Sequence, residues 1–163
     1  LAQGLDPFQE SSLDDAATMV DTNLKGLIYV SRVTLPFLIK QNIGHIFNIG
    51  STAGIYAYPK GAVYCSTKAA VKALSDGIRM DTIATDIKVT TIQPGIVETP
   101  FSEVRFHGDA ERAASVYAGI EAVQPEDVAD VVLYVTNQPK RLQISDVTIM
   151  ANQQAAGFMV HKK

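Results

Sequence analysis

GHIFNIGSTAGIYAYPKGAVYCSTK, residues 44–68, joins a short apolar segment to a long alanine-rich one. Its first part, GHIFNIGS (44–51), is rich in β-branched and aromatic residues and is bounded by glycines, which predicts a buried strand. Apolar residues at helical spacing follow from Ala62 to Ala84, which predicts a long helix. A buried strand followed by a long helix is typical of sheets whose strands run parallel.

The rest of the chain repeats this alternation. A long helix is predicted over residues 11–41, because SSLDD supplies a serine cap and early acidic residues; Pro36 is expected to kink or loosen its last turns. The later predicted elements are a strand at 87–95, a segment of irregular structure or short helices at 96–120, a helix at 124–138 and a strand at 144–150. The predicted fold class is therefore α/β, a doubly wound parallel sheet covered by helices on both faces.

The order of elements also predicts where a ligand binds. In open parallel sheets, ligands bind beyond the carboxyl ends of the strands. Ser51 ends the first predicted strand, and Pro94-Gly95 ends the second. The long segment 96–120 is expected to form a lid or binding loop at the same edge.

Composition excludes several classes of function. The 163 residues are 47% apolar, enough for one domain with a substantial core, and the net charge of −3 does not match the basic surface of nucleic-acid-binding proteins. No apolar run is long enough to span a bilayer, and the first ten residues lack the signal-peptide pattern. The single cysteine, Cys65, cannot form an internal disulfide, which favours a cytoplasmic setting. His45, His107 and His161 show no metal-ligand spacing, so no metal site is predicted.

The pattern Tyr-x-x-x-Lys occurs twice. Tyr56 and Lys60 enclose Pro59, which disfavours a helix there, so these two side chains need not share a face. Tyr64 and Lys68 lie near the start of the predicted helix, where residues four apart stack on one side. A free tyrosine has a pKa of about 10, and a neighbouring ammonium would lower that pKa toward the range of general acid–base catalysis. The sequence therefore favours Tyr64 with Lys68.

Two further polar residues accompany this pair. Ser51 precedes Tyr64 at the end of the predicted strand, and Asn23 lies inside the first predicted helix. Asparagine is a mediocre helix former, so its amide there is expected to bridge a water or to loosen a backbone hydrogen bond.

Four separate segments together resemble the short-chain dehydrogenase/reductase family in order and spacing: Asn23, NIGSTAG (48–54), YCSTK (64–68) and QPGIVET (93–99). The resemblance covers essentially the whole chain and implies a Rossmann-like fold. Three segments look most similar to the NADP-dependent 3-hydroxy acid dehydrogenases that act on serine or allo-threonine, namely PFSEVRFHGD (100–109), PEDVADVV (125–132) and the C-terminal region. The implied activity is hydride transfer between NADP(H), or NAD(H), and a hydroxyl or carbonyl group of a small 3-hydroxy acid.

The resemblance implies a role for each catalytic residue. Ser51 would hydrogen-bond the substrate oxygen, and Tyr64 would act as the general acid or base. Lys68 would hold the nicotinamide ribose hydroxyls and depress the pKa of Tyr64. Asn23 would anchor a water in a proton relay. Charge that develops on the substrate oxygen would then meet preorganised donors.

The turn after the second predicted strand resembles the nicotinamide platform of the family. Pro94 and Gly95 would form the turn, Ile96 or Val97 would meet the carboxamide through backbone groups, and Thr99 would do so through its hydroxyl. An ordinary strand-ending Pro-Gly turn is the alternative interpretation.

Arg105, in the expected lid, is a candidate partner for a substrate carboxylate through a two-pronged contact; the alternative is a surface arginine. Without that contact the chain would be read as a ketone or sugar reductase of the same family. A third interpretation is a non-catalytic scaffold that lost the cofactor-binding half.

The sequence departs from the family at its start. It opens with Leu1 rather than with a strand and the glycine-rich turn that cradles cofactor phosphates. The chain is therefore expected to be the C-terminal part of a single domain, supplying strands five, six and seven of the sheet, and to be poorly active alone. The predicted helices 11–41 and 62–84 resemble the pair with which this family builds oligomers, so a homotetramer is expected.

Overall fold

The computed structural model describes all residues from 1 to 163 and contains one sheet of three parallel strands. The strands are β1 (Gly44–Ile49), β2 (Ile87–Pro94) and β3 (Asp146–Ile149), in the order β1-β2-β3. All three strands were predicted, although β1 ends before Ser51 and β3 is shorter than expected. The α/β class and the parallel sheet are confirmed.

The first long helix consists of three parts. Helix α1 (Leu13–Val20) is capped by the Ser12 hydroxyl, which accepts a hydrogen bond from the Asp15 N–H at 3.2 Å. A widened π-helical turn (Asp21–Gly26) follows and leads into α2 (Leu27–Gln41). The sequence predicted one long helix that Pro36 would kink or loosen, and it expected Asn23 to bridge a water or to loosen a backbone hydrogen bond; Asn23 lies inside the widened turn. Helix α2 continues through Pro36 and ends where Asn42 adopts a left-handed conformation, with φ of 50°.

Helix α3 (Ala62–Asp81) packs on one face of the sheet. Leu74 and Ile78 of α3 pack with the side chains of Ile87 and Val89 on β2, together with apolar residues of β1 and α2. A buried hydrogen bond of 2.8 Å from the Asn48 amide to the Ser75 hydroxyl ties β1 to the same helix.

The opposite face is covered over β2 by α6 (Pro125–Thr136). Lys88 alternates with Ile87 and Val89 along β2 and therefore points away from α3. Its ammonium donates hydrogen bonds to the carbonyls of Gln138 (3.2 Å) and Pro139 (2.9 Å), just beyond the end of α6. Helices thus lie on both faces, as the sequence predicts.

The segment between β2 and α6 forms the expected short helices, α4 (Phe101–Arg105) and α5 (Ala110–Tyr117). A hydrogen bond of 2.8 Å between the hydroxyls of Ser102 and Tyr117 joins the two. The backbone of Arg105 is tied to the N-terminal segment, because the Gly4 N–H donates to its carbonyl at 2.9 Å. Among the helices, none has both the length and the apolar character needed to cross a membrane.

Candidate active site

Ser51 lies directly beyond β1, at the carboxyl edge of the sheet. Its oxygen accepts a hydrogen bond from the Ala53 N–H at 3.1 Å, and its hydroxyl donates to the Pro94 carbonyl at 3.3 Å. The bond to Pro94 connects the end of β1 to the end of β2. The two strand ends that the sequence singled out therefore meet at one place.

The turn after Ser51, a 3₁₀ turn at Thr52–Gly54, lies against the backbone of α3. A Cβ added to Gly54 would come within 2.7 Å of the carbonyl carbon and oxygen of Lys68. Only glycine therefore permits this approach, and the approach fixes the Ser51 turn relative to the helix that carries Tyr64 and Lys68.

Tyr64 is in the first turn of α3 and is only 8% exposed. It packs in a core cluster with Ala2, Met19 and other buried residues, and its ring centroid lies 5.8 Å from that of Phe101. Burial raises the pKa of Tyr64 to about 12, although Ser51 and Arg105 oppose this shift. The predicted lowering of this pKa is therefore wrong for the protein without ligands, because desolvation of the phenolate outweighs nearby positive charge.

Lys68 lies one helical turn after Tyr64, as the spacing predicts. Its ammonium donates to the Ile49 carbonyl at 2.9 Å and lies 5.9 Å from the centroid of the Tyr64 ring. Burial lowers the pKa of Lys68 to about 8. The competing pair does not share this arrangement, since Tyr56 and Lys60 are exposed, lie outside any helix, and Lys60 has a left-handed φ of 67°.

Asn23 is buried and connects the N-terminal segment to α3. Its oxygen accepts a hydrogen bond from the main-chain nitrogen of Leu1 at 2.9 Å, and its amide donates to the Leu1 carbonyl (2.7 Å) and the Thr67 hydroxyl (3.1 Å). Both amide hydrogens and the oxygen thus bind protein groups, and the water-anchoring role of Asn23 stays a prediction.

The two central residues of the turn at Pro94–Thr99, Ile96 and Val97, differ in whether their main-chain groups are hydrogen-bonded within the chain. The Ile96 N–H donates to the Gln154 side-chain oxygen at 2.9 Å, and the Ile96 carbonyl accepts from the Val123 N–H at 3.1 Å. The N–H and C=O of Val97 form no hydrogen bond within the chain. Of the two residues that the sequence offered, Val97 therefore has the free main-chain groups.

The flanking residues of this turn are also held by the protein. Gly95 faces the Gln154 amide so closely that a Cβ would overlap it. The Thr99 hydroxyl accepts a hydrogen bond from the Phe101 N–H at 3.2 Å, and its carbonyl accepts from the Tyr117 hydroxyl at 3.1 Å. The turn is therefore a rigid part of the site.

Arg105 is beside Tyr64 rather than on the open surface. Its guanidinium carbon lies 5.7 Å from the centroid of the Tyr64 ring and 5.6 Å from that of Tyr58. A narrow cleft opens at Tyr64 and Arg105, lined also by residues 3–6 and 60–63 and by α1. Tyr58 was not predicted as a site residue. Gly61, three residues later, is the signal that could have indicated it, because a side chain at that position would overlap the Tyr58 ring.

The residues at this edge fit one half of a nicotinamide dinucleotide. The half-buried ammonium of Lys68 makes one hydrogen bond, to Ile49, which leaves donors for ribose hydroxyls. The free N–H and C=O of Val97 match the acceptor and donor of a carboxamide. The sequence contains no G-x-G-x-x-G turn to hold the phosphates of the other half.

Comparison with known proteins gives a consistent picture. The sequence profile of the short chain dehydrogenases matches residues 2–110. The NADP-dependent 3-hydroxy acid dehydrogenase YdfG of Salmonella typhi is 46% identical over 164 residues, covering 99% of this chain and 66% of that protein. The NADP-dependent 3-hydroxy acid dehydrogenase of Schizosaccharomyces pombe is 40% identical, covering 100% of this chain and 63% of that protein. The chain thus spans just under two thirds of the length of these relatives.

Solved structures agree with the sequence comparison. The closed form of a serine dehydrogenase complexed with NADP+ superimposes with a TM-score of 0.93 at 44% identity, covering 100% of this chain and 66% of that one. A serine dehydrogenase from Escherichia coli superimposes with a TM-score of 0.80 at 38% identity, covering 95% of this chain and 62% of that one.

Proposed function

This chain belongs to the short-chain dehydrogenase/reductase family, and we propose that it carries the catalytic part of an NADP-dependent dehydrogenase of small 3-hydroxy acids such as serine. The observation that carries this proposal is the meeting of Ser51, Tyr64 and Arg105 at the carboxyl edge of the sheet. That group combines a hydroxyl, a buried phenol and a cation: Ser51 hydrogen-bonds the Tyr64 side chain, and Tyr64 and Arg105 line one cleft.

Tyr64 acts as the general acid when a carbonyl is reduced. With a pKa of about 12, the phenol is protonated at neutral pH and can donate its proton to the oxygen on which negative charge develops. The Ser51 hydroxyl provides a second donor to the same oxygen. In the oxidative direction the phenolate accepts the proton of the substrate hydroxyl, so activity in that direction rises with pH.

Lys68, Val97 and Thr99 would hold the nicotinamide half of the cofactor. Lys68 has a pKa of about 8, so at pH 7 it is still a cation that can donate to ribose hydroxyls. The free main-chain groups of Val97 and the hydroxyl of Thr99 would bind the carboxamide. The bound cofactor supplies or accepts the hydride, which no protein side chain can do.

The position of Arg105 favours a substrate that carries a carboxylate. A guanidinium binds a carboxylate through two parallel hydrogen bonds, and this one lies beside the ring of the proposed general acid. A 3-hydroxy acid would place its hydroxyl carbon and its carboxylate within the short distance that separates Tyr64 from Arg105. This placement favours acids over the neutral ketones and sugars of the alternative interpretation.

We also propose that the protein assembles as a homotetramer in the cytoplasm. The outer side of α2 presents large apolar residues to solvent, among them Val33 and Phe37, which are 65% and 66% exposed. Apolar patches of this kind mark interaction surfaces. The single cysteine, Cys65, is buried and unpaired, which suits a reducing compartment.

The test is NADP-linked oxidation of L-serine, 3-hydroxypropionate and a neutral alcohol of similar size by the full-length protein. Tyr64→Phe should lower kcat/KM on every substrate by roughly 10²- to 10⁴-fold, since it removes the proton-transferring group. Tyr56→Phe is the matched control from the other Tyr-x-x-x-Lys pair and should leave kcat/KM unchanged. Equal activity of the Tyr64→Phe and wild-type proteins would contradict the proposed mechanism.

The same assay tests the substrate class through Arg105→Ala. Activity should fall by about tenfold or more further on the two acids than on the neutral alcohol, because only the acids lose a charged partner. Arg112→Ala is the control, since Arg112 stacks on Phe106 in the lid, 4.3 Å from its ring centroid, without approaching Tyr64. Equal losses on acids and alcohol would exclude Arg105 as the carboxylate partner.

A further inference from the structure

The guanidinium of Arg105 lies against two tyrosine rings. Its central carbon is 5.6 Å from the Tyr58 centroid and 5.7 Å from the Tyr64 centroid. On its other side, Nε donates to the Gly4 carbonyl at 3.1 Å. A long, flexible side chain on the five-residue helix α4 is thus held by one hydrogen bond and by aromatic contacts.

Tyr58 is itself fixed by the turn that leads into α3. The Gly61 N–H donates to the Tyr58 carbonyl at 3.2 Å, and the Tyr58 ring packs against the buried cluster that contains Tyr64. A Cβ added to Gly61 would overlap the Tyr58 ring. Gly61 has φ of −112°, a conformation open to any residue, so this glycine is needed for the ring and not for the backbone.

The position of the Arg105 guanidinium matters because it affects both the binding of an acidic substrate and the ionisation of Tyr64. An arginine over an aromatic face gains electrostatic attraction to the ring and loses rotational freedom. Arg105 lowers the pKa of both tyrosines, whereas burial raises them. Displacing Arg105 would therefore change both the grip on an acidic substrate and the ionisation of Tyr64.

We propose that Tyr58 is a positioning residue, whose ring holds the Arg105 guanidinium beside Tyr64 and so aligns the substrate carboxylate with the proton-transferring phenol. The proposal rests on the proposed function, in which Arg105 binds that carboxylate. Tyr58 contacts Arg105 and acts through it. Gly61 contributes to the same arrangement, because the absence of a side chain there leaves room for the Tyr58 ring.

The experiment measures kcat/KM for 3-hydroxypropionate and for a neutral alcohol across pH, in the full-length protein. Tyr58→Leu removes the ring, Tyr58→Phe keeps it, and Gly61→Ala pushes it aside without changing Tyr58. The ratio of acid to neutral activity should fall roughly tenfold in Tyr58→Leu and in Gly61→Ala, and Tyr58→Phe should retain most of it. Tyr56→Leu, at an exposed tyrosine two residues earlier, is the control and should match wild type.

The pH profile adds a second measurement, the apparent pKa for oxidation, which a general loss of stability would not shift. With the neutral alcohol, the apparent pKa for oxidation should rise in Gly61→Ala, since the phenolate of Tyr64 loses a nearby cation while the Tyr58 phenol, which raises the pKa of Tyr64, is still present. The double variant Tyr58→Leu/Gly61→Ala should be no worse than Tyr58→Leu alone, because the added methyl then has no ring to displace. Additive losses would overturn the link between the two residues.

The outcomes separate this inference from the proposed function. If wild type does not prefer the acid to the neutral alcohol, the substrate proposal fails and this inference fails with it. If wild type prefers the acid and both Tyr58→Leu and Gly61→Ala keep that preference, only the role of Tyr58 is overturned. Should Tyr58→Leu not fold, Gly61→Ala against Tyr58→Phe decides the question alone.

Discussion

Two adjacent threonines on β2, Thr90 and Thr91, are both fully buried but differ in what their hydroxyls bind. The Thr90 hydroxyl donates to the Ile144 carbonyl at 2.6 Å and also lies 2.7 Å from Nε2 of His45. The Thr91 hydroxyl has no hydrogen-bond partner. A buried polar group without a partner destabilises the folded state, whereas a satisfied one contributes to stability.

We therefore expect opposite effects from the same substitution at the two positions. Thr91→Val should raise the free energy of unfolding by about 1 kcal/mol, because it removes an unsatisfied hydroxyl at nearly constant volume. Thr90→Val should lower it by about 1 to 2 kcal/mol, since the Ile144 carbonyl loses its donor. Urea denaturation of the two variants and wild type measures both changes. A loss of stability in Thr91→Val would mean that its hydroxyl has a partner in solution.

At the scale of the elements, β1 carries a half-buried titratable ring. His45 stacks on Phe47 with ring centroids 3.9 Å apart and lies opposite Lys88 on β2. Burial, and secondarily the charge of Lys88, lower the pKa of His45 from 6.5 to about 4. The folded protein therefore binds this proton less readily than the unfolded chain does. Stability is lost as the pH falls from 6.5 toward 4.

His45→Gln should flatten that part of the pH dependence. Glutamine does not titrate, and it can still hydrogen-bond Thr90 on the neighbouring strand. Melting temperatures measured from pH 7 to pH 4 should fall less steeply for His45→Gln than for wild type. His161→Gln, at an exposed position near the end of the chain, serves as the control and should follow the wild-type slope. Identical slopes for all three proteins would exclude His45 as a source of acid sensitivity.

The elements also show where inference from sequence succeeds. Strand and helix order could be predicted because the spacing of apolar residues and the turn residues that end each element are local. The choice of Tyr64 over Tyr56 followed from Pro59 and from the helical spacing of Tyr64 and Lys68, which are local signals too. The only sequence signal for the widened turn at Asp21–Gly26 was Asn23, a mediocre helix former inside a predicted helix. The pKa of Tyr64 and the contact of Tyr58 with Arg105 could not be predicted. Both depend on tertiary packing between residues far apart in the chain.

At the scale of the whole molecule, the outer face of α2 is an exposed apolar surface. Tyr29, Val30, Val33 and Phe37 are each between 63% and 66% exposed. They recur at helical spacing along one side, so a second copy could cover them together. Burying such a face releases water from apolar surface, which drives most protein association.

Val33→Asp should therefore disrupt assembly of the protein. A carboxylate on each copy of the buried face would cost about 2 kcal/mol or more per copy, since charge is expensive to desolvate. Sedimentation velocity should show a smaller species for Val33→Asp than for wild type at equal concentration. Leu13→Asp changes an equally apolar residue that is 84% exposed at the start of α1, and it should leave the sedimentation coefficient unchanged. An unchanged coefficient in Val33→Asp would place the interface elsewhere.

The free peptide group of Val97 has an evolutionary consequence. A contact made through N–H and C=O is the same whichever side chain position 97 carries, so a mutational scan would record that position as tolerant. Only proline, which lacks the N–H, would remove the donor by ordinary substitution. Replacing the amide there with a backbone ester, by incorporating an α-hydroxy acid, would test the proposed cofactor contact, which a scan of side chains would miss.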